Sequence, residues 1–188
     1  MPKMTSMLIH VAFERVTRLA RAADYGGGLN PAQWQSLRYL ARCNRFSDSQ
    51  KHLGCYLAST KGTVSQTLAS LVSKGLIRKT ARPGGGLTLS LTPAGEEMLD
   101  SDPAAALVDQ LDALSCRERK RLLRNLRAIM PDAPPGARPE AGFGTCGDCR
   151  HFSKRGKKGK KAFCARFGVA LKKKETRRLC AHHAPREG

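Results

Sequence analysis

The chain has 188 residues, 40% of them apolar and 5% aromatic, with 34 Lys/Arg against 15 Asp/Glu for a formal net charge of +19. That length suits one full domain with a small appendage, and the charge calls for a polyanionic partner, DNA or RNA first. No apolar run reaches the length of a membrane helix, and the N-terminal stretch has charges inside its apolar run and no small-residue cleavage site, so a cytoplasmic protein is expected.

Residues 5–23 fit an amphipathic helix, with Met4, Met7, Leu8, Val11, Val16 and Leu19 at helical spacing and Glu14, Arg15 and Arg18 between them. Glycines 26–28 break it. A second helix opens on Asn30 as N-cap, Pro31 in the first turn and Gln33 at the third position, with Trp34, Leu37, Leu40 and Ala41 as its inner face. Ser47 with Gln50 is expected to open a short third helix that buries Leu53 and Leu57. The fourth runs from about residue 60 to 73. Val64, Leu68, Leu71 and Val72 form one stripe, and Gly75 ends it in the left-handed region.

The fourth helix carries Lys61, Gly62, Thr63, Ser65 and Gln66 away from that stripe, crowded at its N-terminal end. Small, polar or positive residues so placed are what a helix needs to enter a major groove and reach base edges. Residues 76–80 and 87–91 then alternate around Arg82-Pro-Gly-Gly-Gly86, which predicts a β-hairpin. A helix–turn–helix followed by such a hairpin is a winged helix, its tip charged by Arg82 with Arg78 and Lys79 close by.

Thr92-Pro93 caps a long helical stretch that Pro103 should split. Ser115 and Glu118 form a capping box for a last helix with Leu122, Leu123, Leu126, Ile129 and Met130 on one face. The expected organisation is a winged helix-turn-helix and dimerisation domain over residues 1–130, a Pro-rich linker over 131–142 and a basic module over 143–188. The fold class is mainly α with a small β-hairpin wing, plus a small metal-bound four-cysteine module.

The order of these elements resembles the MarR family of bacterial transcription regulators. The resemblance is carried by Asn30-Pro-Ala-Gln-Trp-Gln-Ser-Leu37, Thr63-Val-Ser-Gln-Thr-Leu-Ala-Ser-Leu71, Lys74-Gly-Leu-Ile-Arg78 and Leu91-Thr-Pro-Ala-Gly95. It implies a homodimer whose first and last helices intertwine, with two recognition helices in successive major grooves of double-stranded DNA. At the matching positions Thr63, Ser65 and Gln66 would face bases and Lys61 phosphate. The family's wing usually carries an Asp-x-Arg element near its tip. Here Arg82 supplies the cation, and residues 82–86 contain no acid.

Residues 141–188 hold 14 Lys/Arg and 3 Asp/Glu, together with the pattern Cys146-x2-Cys149-x14-Cys164-x15-Cys180. So basic a segment cannot build much apolar core, and four thiolates around a metal are the simplest way to hold it. Two-residue spacing lets Cys146 and Cys149 bind from one tight turn. A tetrahedral zinc site and a 4Fe-4S cluster both take four cysteines, and spacing alone does not decide. A zinc ribbon more often shows two Cys-x2-Cys knuckles. The layout of Cys149-Arg-His-Phe152, Cys164-Ala-Arg-Phe167 and Leu179-Cys180 is also similar to that of high-potential iron–sulfur proteins. His151, His182 and His183 are expected as surface residues or donors to the ligands. The basic run 154–161 is a solvated loop that can grip phosphates. Cys43, Cys55 and Cys116 are expected to be buried or half-buried.

With no Ser/His/Asp order, phosphate loop or paired carboxylates, an enzyme is not expected. The sequence instead predicts a DNA-binding regulator whose centre holds an iron–sulfur cluster sensing redox, nitric oxide or iron status. The alternative is a nucleic-acid-binding protein with a purely structural zinc. The small-molecule effector, if one exists, has no assigned pocket.

Overall fold

The computed structural model describes residues 3–25, 27–83, 85–129, 142–154 and 161–186. Met130, the linker residues up to 141 and most of the basic run 154–161 lie outside them. The described elements follow in chain order. They are α1 (Met4–Ala23), α2 (Pro31–Arg42), α3 (Gln50–Tyr56), α4 (Lys61–Ser73), β1 (Ile77–Ala81), β2 (Leu87–Leu91), α5 (Pro93–Met98), α6 (Ala105–Asp112) and α7 (Cys116–Ile129). The short strands β3 (Gly142–Gly144), β4 (Phe152–Ser153), β5 (Phe163–Cys164), β6 (Val169–Ala170) and β7 (Cys180–His183) complete the chain. Among the described residues no helix is long and apolar enough to cross a membrane.

The caps form where the sequence places them. The Asn30 side chain accepts from the Gln33 amide at 2.9 Å, and the Gln33 side chain accepts from the Asn30 amide at 3.0 Å, a complete capping box. The Thr92 hydroxyl accepts from the Gly95 amide at the start of α5, and Thr60, which the sequence reading did not single out, accepts from the Thr63 amide at the start of α4. Ser115 and Glu118 bind each other at the start of α7. Pro103 splits the stretch after Thr92 as expected, with a 3-10 turn over Leu99–Ser101 before α6. One cap differs. Ser49, not Ser47, precedes α3 and accepts from the His52 amide. Ser47 is fully buried because its carbonyl takes the Tyr39 hydroxyl at 2.6 Å, which draws it into the core.

The core joins Leu29, Trp34, Leu37, Tyr39, Leu40, Leu53, Val64, Leu68, Leu71, Leu76, Ile77 and Leu89. Val72, read as part of the inner stripe, is 40% exposed; Leu71, one residue earlier, takes the inward position. β1 and β2 pair antiparallel from Ile77–Leu91 to Ala81–Leu87. Gly75 ends α4 at φ +70°, a conformation that favours glycine. Gly95 is required for a different reason. A Cβ there would run into the Leu76 carbonyl oxygen, so the Leu-Thr-Pro-Ala-Gly segment packs backbone to backbone against the start of the wing.

A buried ion-pair hub ties the ends of the long helices to the winged helix. The Arg38 guanidinium donates to Asp24, just past α1, at 2.6 Å and to Asp102, just before α6, at 2.9 Å. The three side chains are 10%, 6% and 13% exposed. Arg38 also lies 5.6 Å over the Trp34 ring. Burial pushes the Asp102 carboxyl up, but the bonds from Arg38 and the Ala104 amide outweigh it and hold it below the usual carboxylate range. Its stabilisation is therefore present at neutral pH and lost as pH falls below the ordinary carboxylate pKa.

Arg38→Ala would strand two nearly buried carboxylates, and is expected to cost about 3–5 kcal/mol. Urea unfolding followed by Trp34 fluorescence measures this. A loss under about 1 kcal/mol contradicts the hub's role. Asp102→Asn should flatten the loss of stability below pH 4 relative to the unmodified protein.

Candidate nucleic-acid interface and metal centre

Helix α4 presents its exposed N-terminal half beside the hairpin. Lys61, Thr63, Ser65 and Gln66 are all exposed, whereas Val64, Leu68 and Leu71 anchor the opposite face against α2 and α3. The Thr60 hydroxyl accepts from the Thr63 amide at 3.2 Å and lies 2.9 Å from the Thr63 hydroxyl, fixing the first turn. No acidic residue falls within α4. The surface is thus polar, uncluttered and free of carboxylates that would repel phosphate.

Arg78, Lys79 and Arg82 are exposed as well. Arg78 and Lys79 are consecutive in β1, so they point to opposite faces of the hairpin and cannot line one surface together. Arg82 has an acidic partner after all. Its guanidinium pairs with Asp48 just ahead of α3, not with a wing residue. The Asp48 carbonyl also accepts from the Leu89 amide of β2 at 2.8 Å. Asp48 therefore does from the helical side what an acid at the wing tip would do. Its position was hidden in the sequence, because Phe46-Ser-Asp-Ser-Gln50 reads only as a helix start.

The four C-terminal cysteines converge. Cys146 and Cys149 flank a 3-10 turn, closed by the Cys149 amide on the Cys146 carbonyl at 3.2 Å. Cys164 on β5 stands opposite Phe152 of β4, and Cys180 on β7 opposite Gly144 of β3. All four line one cavity together with His151, Phe46, Phe152, Phe167, Leu171 and His182. Its volume, counting the open mouth, is about 390 Å³. Among the described residues no three His, Cys, Asp or Glu side chains stand together as a ready site for a metal ion.

Two observations bear on what that space suits. Burial, and after it the neighbouring Cys180, Cys149 and Cys164, push the Cys146 thiol up to about 11, a penalty that a cation at this sulfur would offset. Nε2 of His151, on the cavity wall, is buried and has no hydrogen-bond partner. Burial lowers the His151 pKa, with Arg150 and Arg166 acting in the same direction, so the ring is neutral at pH 7 and one nitrogen carries a proton to donate. Thiolate sulfur with an imidazole donor beside it fits a thiophilic metal or an iron–sulfur cluster.

His183 also lines the cavity, and its Nε2 lies 3.1 Å from Asp148, which also takes Arg127 of α7 at 2.6 Å. His182 packs edge-on against His52 of α3 and against Phe167. Of the scattered cysteines, Cys43 is buried and Cys55 half-buried as expected, but Cys116 is exposed because it opens α7 on a helix with no buried residue.

The module does not stand alone. Phe143 and Leu179 pack on the winged-helix core, with Phe143 against Tyr39 and Tyr56. Leu179 bridges Cys43 in parallel, its amide donating to the Arg42 carbonyl at 2.8 Å and its carbonyl accepting from the Asn44 amide at 2.9 Å. The Ala181 amide donates to the Ser47 hydroxyl at 2.9 Å. Phe46 stacks on Phe167 at 4.2 Å between centroids. Arg45 pairs with Glu175 at 3.0 Å.

Residues 27–86 match the sequence model of the MarR family. No curated protein matches the chain. Among solved structures, the chain is similar to Staphylococcus aureus MepR in its DNA-binding conformation, at 20% identity and a TM-score of 0.57, over 68% of this chain and 96% of that one. It is similar to the MepR–DNA complex at 20% identity and 0.51, over 68% and 97%. A MarR-family regulator from Silicibacter pomeroyi aligns at 22% identity and 0.53, over 67% and 87%. At these identities the likeness is one of fold. The family match is confined to residues 27–86, the stretch that holds α2–α4 and the wing.

Proposed function

We propose that this protein is a homodimeric, cytoplasmic DNA-binding transcription regulator whose four-cysteine centre holds an iron–sulfur cluster of the 4Fe-4S kind and reports redox, nitric oxide or iron status. The observation that carries the DNA-binding part is α4: a capped helix with Lys61, Thr63, Ser65 and Gln66 exposed at its start and Arg82 braced beside it by Asp48. The MarR-type match and the DNA-bound MepR of similar fold support it. Thr63, Ser65 and Gln66 read base edges, Lys61 and Arg78 meet phosphates, and Arg82 enters the neighbouring minor groove. Lys79 lies on the other hairpin face and adds only long-range charge.

The dimer rests on exposed apolar surface. Helices α1, α6 and α7 bury no residue within one chain. Met4, Leu8, Ile9, Val16 and Leu19 of α1, Leu107 and Leu111 of α6, and Leu123 and Ile129 of α7 are all exposed. Faces of this size need a partner, and a second copy offering the same helices supplies one.

The cluster is preferred to a structural zinc on the cysteine spacing, with one Cys-x2-Cys knuckle where a zinc ribbon more often shows two. The structure brings all four of these cysteines to the lining of one cavity. These four cysteines would hold the cluster, and His151 on the same wall would be available to donate to it.

Gel shifts on a duplex selected from a random DNA pool test the reading directly. Gln66→Ala should weaken binding about tenfold or more and relax the preference at one base position. Lys61→Ala should weaken all sequences alike and lower the salt slope by about one. If neither variant changes affinity, α4 is not the reading helix. Sedimentation should give twice the 20.5 kDa chain mass; a monomer refutes the dimer. Protein purified without air should be brown and bleach on exposure to oxygen. Colourless protein with one zinc per chain refutes the sensing role.

A further inference from the structure

The short stretch at residues 43–48 has the cysteine cavity on one side and the wing on the other. Asn44 and Phe46 line the cavity. The backbone at 42–44 pairs with Leu179, next to the ligand position Cys180. Ser47 accepts from Ala181, the residue after Cys180, through its hydroxyl. Its own carbonyl is fixed by Tyr39, and the Asn44 side chain accepts from its hydroxyl at 2.9 Å. The next residue is Asp48, which holds Arg82 by its carboxylate and β2 by its carbonyl. From Cys180 to Arg82 the path runs through Ala181, Ser47 and Asp48, with no gap.

We propose that residues 43–48 are the coupling strap by which occupancy of the four-cysteine centre sets the wing: with the centre filled, β7 stays paired along the strap and Asp48 holds Arg82 in its groove-reading position. This rests on the reading of the cysteines as a metal-cluster site and goes beyond it, by assigning the route of regulation and its sign.

The chemistry makes the strap bistable. β7 is short, and Cys180 is half-buried beside three other thiols. Once the centre is lost, the sulfurs no longer share a cation, and the basic module has little apolar burial to keep β7 in place; Leu171, Cys149 and Ala181 are its buried apolar residues among those described. Release of β7 removes the Ala181 bond from Ser47 and the Leu179 bonds from residues 42 and 44. Asp48 then loses its fixed neighbour, and the 41%-exposed Arg82 its brace. The filled centre therefore favours DNA binding, and its loss weakens it. An allosteric effect of this sort commonly spans 5- to 150-fold in affinity.

The test compares filled and emptied protein on the same selected duplex at one salt concentration, in the full chain and in Ser47→Ala and Asp48→Asn variants. Iron content and the visible band establish filling. Filled unmodified protein should bind about tenfold tighter than emptied protein. Both variants should keep their iron and colour, yet show less than about a twofold difference between states. Hydrogen exchange at the Leu89 amide gives a second readout: emptying should speed it in the unmodified protein. Absence of iron or of DNA binding in the unmodified protein would defeat the functional reading itself. Iron and DNA binding without any difference between states, or a full difference surviving in both variants with unchanged Leu89 exchange, overturns the strap alone.

Discussion

The stretch at residues 43–48 belongs to two structures at once. Its backbone closes the winged helix by binding β2 through Asp48 and Tyr39 through Ser47, and it also receives the edge of the cysteine module through Leu179 and Ala181. A buried backbone polar group must find a partner or cost the fold dearly. Here those partners come from both halves of the chain, so neither half can shift without disturbing the other. The two parts pack together for this reason, although their compositions differ so much.

The module illustrates what a strongly basic segment needs in order to fold. It carries 14 Lys/Arg over residues 141–188, and its strands are two to four residues long. Isolated pairs of such strands are not stable in water. Two supports compensate. One is borrowed core, with Phe143 and Leu179 seated on the winged helix and Phe46 on Phe167. The other is the set of four cysteines lining one cavity, where a bound cation would tie their segments together.

Much of this was legible in the sequence where a local rule decides the outcome. Asn30, Thr92 and Ser115 cap the helices predicted for them, Gly75 and Pro103 break where they should, and the hairpin forms around residues 82–86. The rule failed where tertiary partners intervene. Ser47 has the right residue type for a cap, but the Tyr39 hydroxyl 8 positions away claims its carbonyl. Val72 fits the stripe by spacing, but the groove is already filled by Leu71. The acid that braces Arg82 was sought within the wing and lies 34 positions earlier, a pairing no local pattern reveals. Likewise the cysteine spacing announced a shared centre, but not that its wall includes Asn44 and Phe46 from the winged helix. The part of the site that couples the halves is the long-range part, and long-range contacts leave no periodic trace in sequence.

Native mass spectrometry of protein prepared without air tests the central claim most directly, because it weighs what the cysteines hold without assuming its colour or reactivity. The account predicts that each chain carries the mass of one four-iron, four-sulfide unit, lost when Cys164 is replaced by serine, while the winged helix stays folded. A chain carrying a single zinc ion, or none with all four thiols free, would contradict it.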